Sequence, residues 1–171
     1  MSVKDFVQQR RDALIAMRRD LHMYPEPAWL EYRSAAKVAD RLISLGYDVA
    51  LGADVLDLDS RMGLPSDEVM KAAMDRAIKE GANPELVEKM GYGKTAIVAT
   101  MKFGGEGPVV AFRVDMDSND VIEAKEDSHV PTKEGFRSCH DKAMHACGHD
   151  AHMTMGLGLA EYLAAHKDEF K

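Results

Sequence analysis

One short stretch, residues 144–152, constrains this chain more than any other, because metal-binding side chains are concentrated in it. It reads Met-His-Ala-Cys-Gly-His-Asp-Ala-His and holds three of the seven histidines and one of the two cysteines. Thiolate and imidazole groups are good ligands for zinc and similar divalent ions. Residues two apart on an extended backbone point to the same side, so we expect Cys147 and His149 to face one ion, with Gly148 allowing a tight turn between them.

Two other interpretations of this stretch stay open. His145 and His149 are four residues apart and would share a helix face if a helix began early, although Gly148 argues against that. The stretch could also be a helix N-terminus with a buried free cysteine and solvated histidines. Asp150 is expected either to cap the helix predicted over residues 153–165 or to orient a ligating histidine.

Length, charge and cysteine content exclude several classes of protein. With 171 residues the chain is long enough for one domain with a hydrophobic core. The formal charge of −7 is spread along the chain, so nothing indicates nucleic-acid binding. No apolar run approaches the roughly 20 residues of a membrane span, and the N-terminus does not resemble a signal peptide. Two cysteines, one of them in the candidate metal site, favour a cytoplasmic protein.

The order of helical and extended segments predicts an α/β fold, with a mixed sheet flanked by helices. The predicted elements are helices at residues 2–22, 29–45 and 67–79 and strands at 47–51, 95–103 and 108–114. The glycine-rich residues 104–107 predict a hairpin between the last two strands. The continuous apolar run from Val109 to Phe112 is typical of a strand buried on both faces.

Two carboxylates follow the last predicted strand. Polar residues at the C-terminal end of a central strand often line an active site, so Asp115 and Asp117 are candidates to orient ligands, bind metal or cap a loop. The loop after them holds His129, Cys139 and His140, which we interpret as loop residues rather than ligands. Cys139 and His140 are adjacent, and adjacent side chains suit a shared ion poorly.

Three blocks of the sequence resemble the amidohydrolase branch of metallopeptidase family M20, and they stand in the same order. Residues 18–26 resemble the opening R-R-x-L-H-x-x-P-E, residues 111–117 a strand that ends in R-x-D-M-D, and residues 144–152 the block M-H-A-C-G-H-D-x-H. Where the family pattern continues D-M-D-A-L, this chain has Asp117-Ser118-Asn119, a mild departure. The resemblance implies a zinc-peptidase-like catalytic domain that hydrolyses a small-molecule N-acyl amino acid. The expected substrate is p-aminobenzoyl-glutamate, cleaved to p-aminobenzoate and glutamate.

The resemblance also implies roles for individual residues. Cys147 and His149 match two ligands of a site for two divalent ions, manganese or zinc. Asp115 matches the carboxylate that supports this metal cluster, and we expect it to be catalytic. His22 and Glu26 match the opening motif, and a structural role beneath the site is expected for them.

Further expectations concern the extent of the domain and its partners. In the family, the general-base glutamate, the remaining ligands and a lid or dimerisation domain lie downstream of the metal block. Residues 1–171 are therefore expected to form the N-terminal part of the catalytic domain, with a helical insertion at about residues 60–92, and to be weakly active or inactive alone. A second, related type of subunit or a homo-oligomer is implied. The alternatives are a non-catalytic metal-binding module and a truncated structural fragment.

Overall fold

The structure is a computed structural model and describes residues 1–170 of the chain. Six α-helices and two strands follow one another along it. They are α1 (Val3–Met23), α2 (Tyr32–Ser44), β1 (Asp48–Leu51), α3 (Asp67–Lys79), α4 (Pro84–Lys89), β2 (Ile97–Thr100), α5 (Val130–Lys133) and α6 (His149–Ala165). Helices combined with a small sheet confirm the predicted α/β class.

Short polar side chains fix where the helices of the middle segment begin. The Ser66 hydroxyl accepts the backbone N–H of Val69 at the start of α3. The Asn83 side chain accepts the N–H of Glu85 at 3.1 Å, directly before Pro84 opens α4. Such side chains satisfy N–H groups that have no partner within the helix. Both helices lie within residues 60–92, and whether this segment is an insertion stays a prediction.

The sheet pairs β1 with β2 in antiparallel register, with Asp48 opposite Thr100 and Leu51 opposite Ile97. The predicted strands at 47–51 and 95–103 are thus confirmed, the second in a shorter form. A parallel bridge between Pro27 and Ser118 lies outside this sheet.

A buried strand at residues 108–114, joined to β2 by a hairpin, was predicted, and this prediction is wrong: the described residues contain no such strand. β2 pairs with β1 instead, and residues 101–116 belong to no helix or strand. Val109 is 99 % exposed, and Val110 and Phe112 are each 65 % exposed. Apolar side chains favour burial, but a strand forms only where a neighbouring strand satisfies the hydrogen bonds of its backbone groups.

The core is centred on α2, which packs against α3, α4, α6 and both strands. One buried cluster joins α2 to α3 and α4; it contains Tyr32, Ala35, Ala36, Ala39, Ala73, Ala77, Ala82, Leu86, Val87 and Met90. A smaller cluster joins Leu42 of α2 to Leu157 and Ala160 of α6. Because α1 also packs along α6, the start of α6 is held against the rest of the domain. None of the helices within residues 1–170 is long and apolar enough to cross a membrane.

Candidate metal centre

The backbone at Gly148 determines how the side chains of the 144–152 stretch are presented. Gly148 is the N-cap of α6, with φ 77° and ψ 25°, and the helix begins at His149. Glycine adopts this left-handed conformation without the steric penalty that a Cβ atom brings. The sequence spacing suggested that Cys147 and His149 lie on one extended segment and point to the same side. The structure contradicts this, because the helix begins between them. Asp150 is not the N-cap either, because Gly148 occupies that position and Asp150 falls in the first turn.

Two histidines of α6 and one aspartate form a compact group of ligands. His149 and His152 are three residues apart on the helix, and their rings stack with centroids 5.1 Å apart. One ligand atom from each of Asp115, His149 and His152 lies within 4.8 Å of the others. The three side chains are partly exposed, so a small ligand can reach them from solvent.

Asp117 fixes the orientation and the tautomer of the His149 ring. The Nδ1 atom of His149 lies 2.8 Å from the backbone carbonyl oxygen of Asp117 and 2.9 Å from its carboxylate oxygen Oδ1. A carbonyl oxygen can only accept, so Nδ1 carries the proton and donates it. The Nε2 atom then has the free lone pair that a metal ion requires, and the ring is held in a fixed orientation.

Asp115 lies between a guanidinium group and an imidazole ring. Its Oδ1 atom is 2.6 Å from Arg113, and its Oδ2 atom is 3.6 Å from Nδ1 of His152. The second distance is too long for a hydrogen bond. The carboxylate and the His152 ring are thus neighbours without a direct bond, which leaves their lone pairs available to a shared ion.

Cys147 is exposed, with a free thiol, and is not one of the three clustered residues. Its backbone N–H donates to the side-chain oxygen of Asn119 at 3.1 Å. Asn119 also exchanges two backbone hydrogen bonds of 3.0 Å with Met144. Asn119 thus ties the turn before α6 to the segment that carries Asp117. The sequence analysis noted Asn119 only as a departure from the family pattern. Its amide side chain, close in sequence to Asp117 and Asp120, was the signal that could have indicated a role in the site.

His145 is buried, and neither of its ring nitrogens has a hydrogen-bond partner among the described residues. Burial lowers the pKa of His145 to about 4, so the ring is neutral at physiological pH. The alternative in which His145 and His149 share a helix face is wrong, because α6 begins only at His149.

A buried network of charges supports the first turn of α6 from below. Asp150 forms an ion pair with Nε of Arg18 at 2.8 Å. It also lies 2.8 Å from Nδ1 of His22, while Nε2 of His22 lies 2.9 Å from Glu123. Burial opposes the charged form of His22, but the hydrogen bonds to the two carboxylates raise its pKa. An imidazole that donates from both nitrogens is charged. Asp150 therefore supports the helix through Arg18 and His22, and among the described residues its carboxylate forms no hydrogen bond with His149 or His152.

Glu26 has a structural role at the start of α2. Its carboxylate is fully buried and accepts the backbone N–H groups of Arg33 and Ser34 at 2.9 and 2.8 Å. Burial raises the pKa of Glu26 to about 7, against the lowering effect of these hydrogen bonds. The backbone carbonyl of Glu26 also accepts the N–H of Ser118, which positions the segment leading to Asn119.

The donor set of the cluster fits a divalent ion. One carboxylate and two imidazoles, one of them with its tautomer fixed by a backbone carbonyl, are ligands that zinc and manganese accept. The exposed Cys147 stands two residues before His149 in the sequence and carries a softer donor atom. Its assignment as a ligand stays a prediction.

The segment that carries this cluster matches a described protein family. Residues 111–171 match the family described as Peptidase family M20/M25/M40. The chain is 45 % identical over 166 residues to indole-3-acetyl-aspartic acid hydrolase of Enterobacter agglomerans, covering 97 % of this chain and 38 % of that protein. It is 46 % identical over 162 residues to one of the named subunits of p-aminobenzoyl-glutamate hydrolase of Escherichia coli, covering 95 % of this chain and 37 % of that protein.

Solved structures agree with these matches. An aminobenzoyl-glutamate utilization protein from Klebsiella pneumoniae aligns with a TM-score of 0.77 and 37 % identity, covering 97 % of this chain and 35 % of that one. A dinuclear metal binding peptidase of the M20 family from Bacillus subtilis aligns with a TM-score of 0.60 and 28 % identity, covering 98 % of this chain and 33 % of that one. The chain thus spans somewhat more than a third of the length of the curated relatives it matches.

Proposed function

Since this chain belongs to peptidase family M20, we propose that it takes part in metal-dependent hydrolysis of the amide bond of an N-acyl amino acid. The observation that carries the proposal is the group formed by Asp115, His149 and His152, whose ligand atoms lie within 4.8 Å of one another. All three residues fall inside the segment that matches the family. A partly exposed group of one carboxylate and two imidazoles suits an ion that must also contact a substrate.

The substrate we propose is an aromatic acyl group joined to an acidic amino acid, with p-aminobenzoyl-glutamate as the leading compound. Two relatives at 45 % and 46 % identity are named for indole-3-acetyl-aspartate and p-aminobenzoyl-glutamate, which share this plan. A solved structure at 37 % identity is also named for aminobenzoyl-glutamate. Cleavage would give p-aminobenzoate and glutamate.

The proposed metal site contains Asp115, Cys147 and His149, with His152 as a further ligand, and takes two divalent ions, zinc or manganese. When bound, such ions would polarise the scissile carbonyl group and lower the pKa of a bound water molecule. Asp117 would hold the His149 ring in its ligating orientation. Arg113 would hold the Asp115 carboxylate through its 2.6 Å contact with the Oδ1 atom.

We propose that the chain alone is weakly active or inactive. Amide hydrolysis needs a group that takes a proton from water and passes it to the leaving amine. Within the described residues, the clustered ligands are one aspartate and two histidines, and no glutamate joins them. A second, related type of subunit or another copy of the chain is the proposed partner, supported by a relative whose name makes it one subunit of its enzyme.

The test is release of p-aminobenzoate from p-aminobenzoyl-glutamate by this chain with excess Mn²⁺ or Zn²⁺. The assay is repeated after adding the remaining segment of a homologous full-length enzyme as a separate polypeptide. We expect turnover only in the second mixture, and expect Cys147→Ala and His149→Ala to abolish it. Turnover by the chain alone would contradict the expected inactivity, and no turnover in either mixture would count against the substrate assignment.

Metal binding separates the catalytic proposal from its alternatives. Tight binding of divalent metal that is lost in Cys147→Ala, without turnover in any mixture, would favour a non-catalytic metal-binding module. Failure to bind metal, together with self-association of the chain, would favour a structural fragment. Asp120→Asn is a suitable control, since Asp120 is exposed and lies near the cluster in sequence without belonging to it.

A further inference from the structure

A second group of metal-binding side chains lies away from α6, where the end of α3 meets the loop that carries Cys139 and His140. One ligand atom from each of Glu80, Cys139 and His140 lies within 4.8 Å of the others. Glu80 is the C-cap residue of α3 and is about sixty residues from the other two in sequence. The interpretation of Cys139 and His140 as plain loop residues took no account of this third side chain.

The hydrogen bonds of His140 prepare one ring nitrogen for a ligand. Its Nδ1 atom lies 2.7 Å from the backbone carbonyl oxygen of Pro25. Because that oxygen can only accept, Nδ1 carries the proton and Nε2 is the other ring nitrogen. Nε2 lies 2.8 Å from the Oε1 atom of Glu80, so an ion bound by both side chains would replace this direct contact between them. A backbone carbonyl on one ring nitrogen is the usual support of a histidine that binds metal through the other.

Glu80 brings a second, independent observation. Its Oε2 atom is buried and has no hydrogen-bond partner among the described residues. A buried carboxylate oxygen without a partner is costly, and a cation is one way to satisfy it. The Glu80 and His140 side chains are 18 % and 12 % exposed, so the two ligands are held in place by their surroundings.

The charges around Cys139 shape how an ion would bind. Burial and the nearby Glu80 raise the pKa of the Cys139 thiol, while Arg33 and Arg76 act in the opposite direction. The thiol is thus protonated before binding, and the ion has to displace that proton. When an ion is bound, a thiolate, a carboxylate and an imidazole with its Nε2 lone pair on the metal would carry two negative charges, which balance a divalent ion.

We propose that Glu80, Cys139 and His140 form a site for a divalent cation of the zinc class, separate from the centre at the start of α6. Sulfur, nitrogen and oxygen ligands together suit zinc and cobalt. Cys139 is exposed, so a water molecule takes the fourth ligand position. In tetrahedral zinc sites ligand atoms are about 3.3–3.8 Å apart, so the contact between His140 and Glu80 opens slightly to admit the ion. Binding there joins the end of α3 to the loop before the 144–152 stretch.

Cobalt reports this site without interference, because the chain has only two cysteines. In Cys147→Ala, any absorption band from a thiolate bound to Co²⁺ must come from Cys139. We expect Co²⁺ titration of this variant to give such a band, which saturates as Co²⁺ is added, and Zn²⁺ to displace it. The band is lost in Cys147→Ala/Cys139→Ser. This readout does not depend on the hydrolytic activity or on binding at the α6 centre.

Glu80→Gln in the Cys147→Ala background tests the geometry of the site. The amide keeps a polar contact with Nε2 of His140, so we expect the fold to be retained. It loses the negative charge, so we expect Co²⁺ affinity to fall more than roughly tenfold, because loss of supporting partners alone costs about 10- to 100-fold. The matched control is Glu88→Gln, an exposed carboxylate on α4, which leaves affinity unchanged. A missing thiolate band in Cys147→Ala, or equal affinity after Glu80→Gln, overturns the proposal and leaves Glu80 and His140 as an ion pair only.

Discussion

The Nδ1 atom of His149 lies 2.8 Å from the backbone carbonyl of Asp117 and 2.9 Å from the carboxylate of the same residue. One residue thus orients the ring twice, once through an atom that substitution cannot remove and once through its side chain. This contact connects the segment after residue 114 to the first residue of α6 and directs the remaining ring nitrogen of His149 toward ligand binding.

Asp117→Asn is expected to weaken divalent metal binding at the Asp115, His149 and His152 cluster. Second partners of ligating histidines typically contribute about 10- to 100-fold in metal affinity, and the remaining carbonyl contact places the expected loss near the lower end, about tenfold. Competition with a chromophoric chelator measures the change. Asp120→Asn is the control, and an unchanged affinity in Asp117→Asn would show that the carbonyl alone orients the ring.

Gly148→Ala is expected to destabilise the fold through backbone strain alone. No heavy atom lies within 4 Å of a Cβ atom added at Gly148, but its φ of 77° disfavours any residue with a side chain. The expected loss is about 1–2 kcal/mol in the free energy of unfolding. Urea denaturation measures it, with Gly104→Ala as the control, since Gly104 has equal space and no positive φ. Equal stability of the two variants would contradict this account of Gly148.

Asn119→Ala is expected to loosen the turn before α6. It removes the acceptor of the Cys147 N–H, at a cost of about 0.5–1.5 kcal/mol in the free energy of unfolding. Asn119→Asp keeps an acceptor oxygen at the same place and should retain most of the stability. Urea denaturation measures both variants, and equal midpoints would contradict a role for the Asn119 side chain as the acceptor of the Cys147 N–H.

Glu26 is expected to make stability depend on pH. Its pKa is raised by burial from 4.5 to about 7, so the native state binds more protons than the unfolded state between these values. The free energy of unfolding therefore falls as pH rises through this window, and the loss is complete above about pH 7.

Glu26→Gln should remove this contribution, because an amide does not titrate. The variant should also be less stable at low pH by about 1–3 kcal/mol, since its amide group presents donors to the backbone N–H groups of α2. The difference between wild-type and variant stabilities, measured from about pH 4 to pH 8, isolates Glu26 from His22, whose raised pKa also makes stability fall at higher pH. A pH-independent difference would count against the raised pKa of Glu26.

The sequence by itself determined the features that depend on local composition. Apolar periodicity predicted α1, α2 and α3, and the order of extended segments predicted the first strand, because these signals act between residues close in the chain. The three blocks identified the family, and the 144–152 stretch located the candidate centre. Asp115 and His149, two of the residues chosen from sequence, lie in the ligand cluster.

Only the tertiary structure decided which side chains meet. The left-handed backbone at Gly148 placed His152 beside His149 and left Cys147 outside the group, whereas residue spacing alone had favoured Cys147. The apolar run at 108–114 lacks a neighbouring strand within residues 1–170 and is exposed, although its composition predicted burial. Glu80 reaches His140 across sixty residues. Such contacts depend on how helices and loops pack in three dimensions, and residue spacing carries no information about distances between segments far apart in the chain.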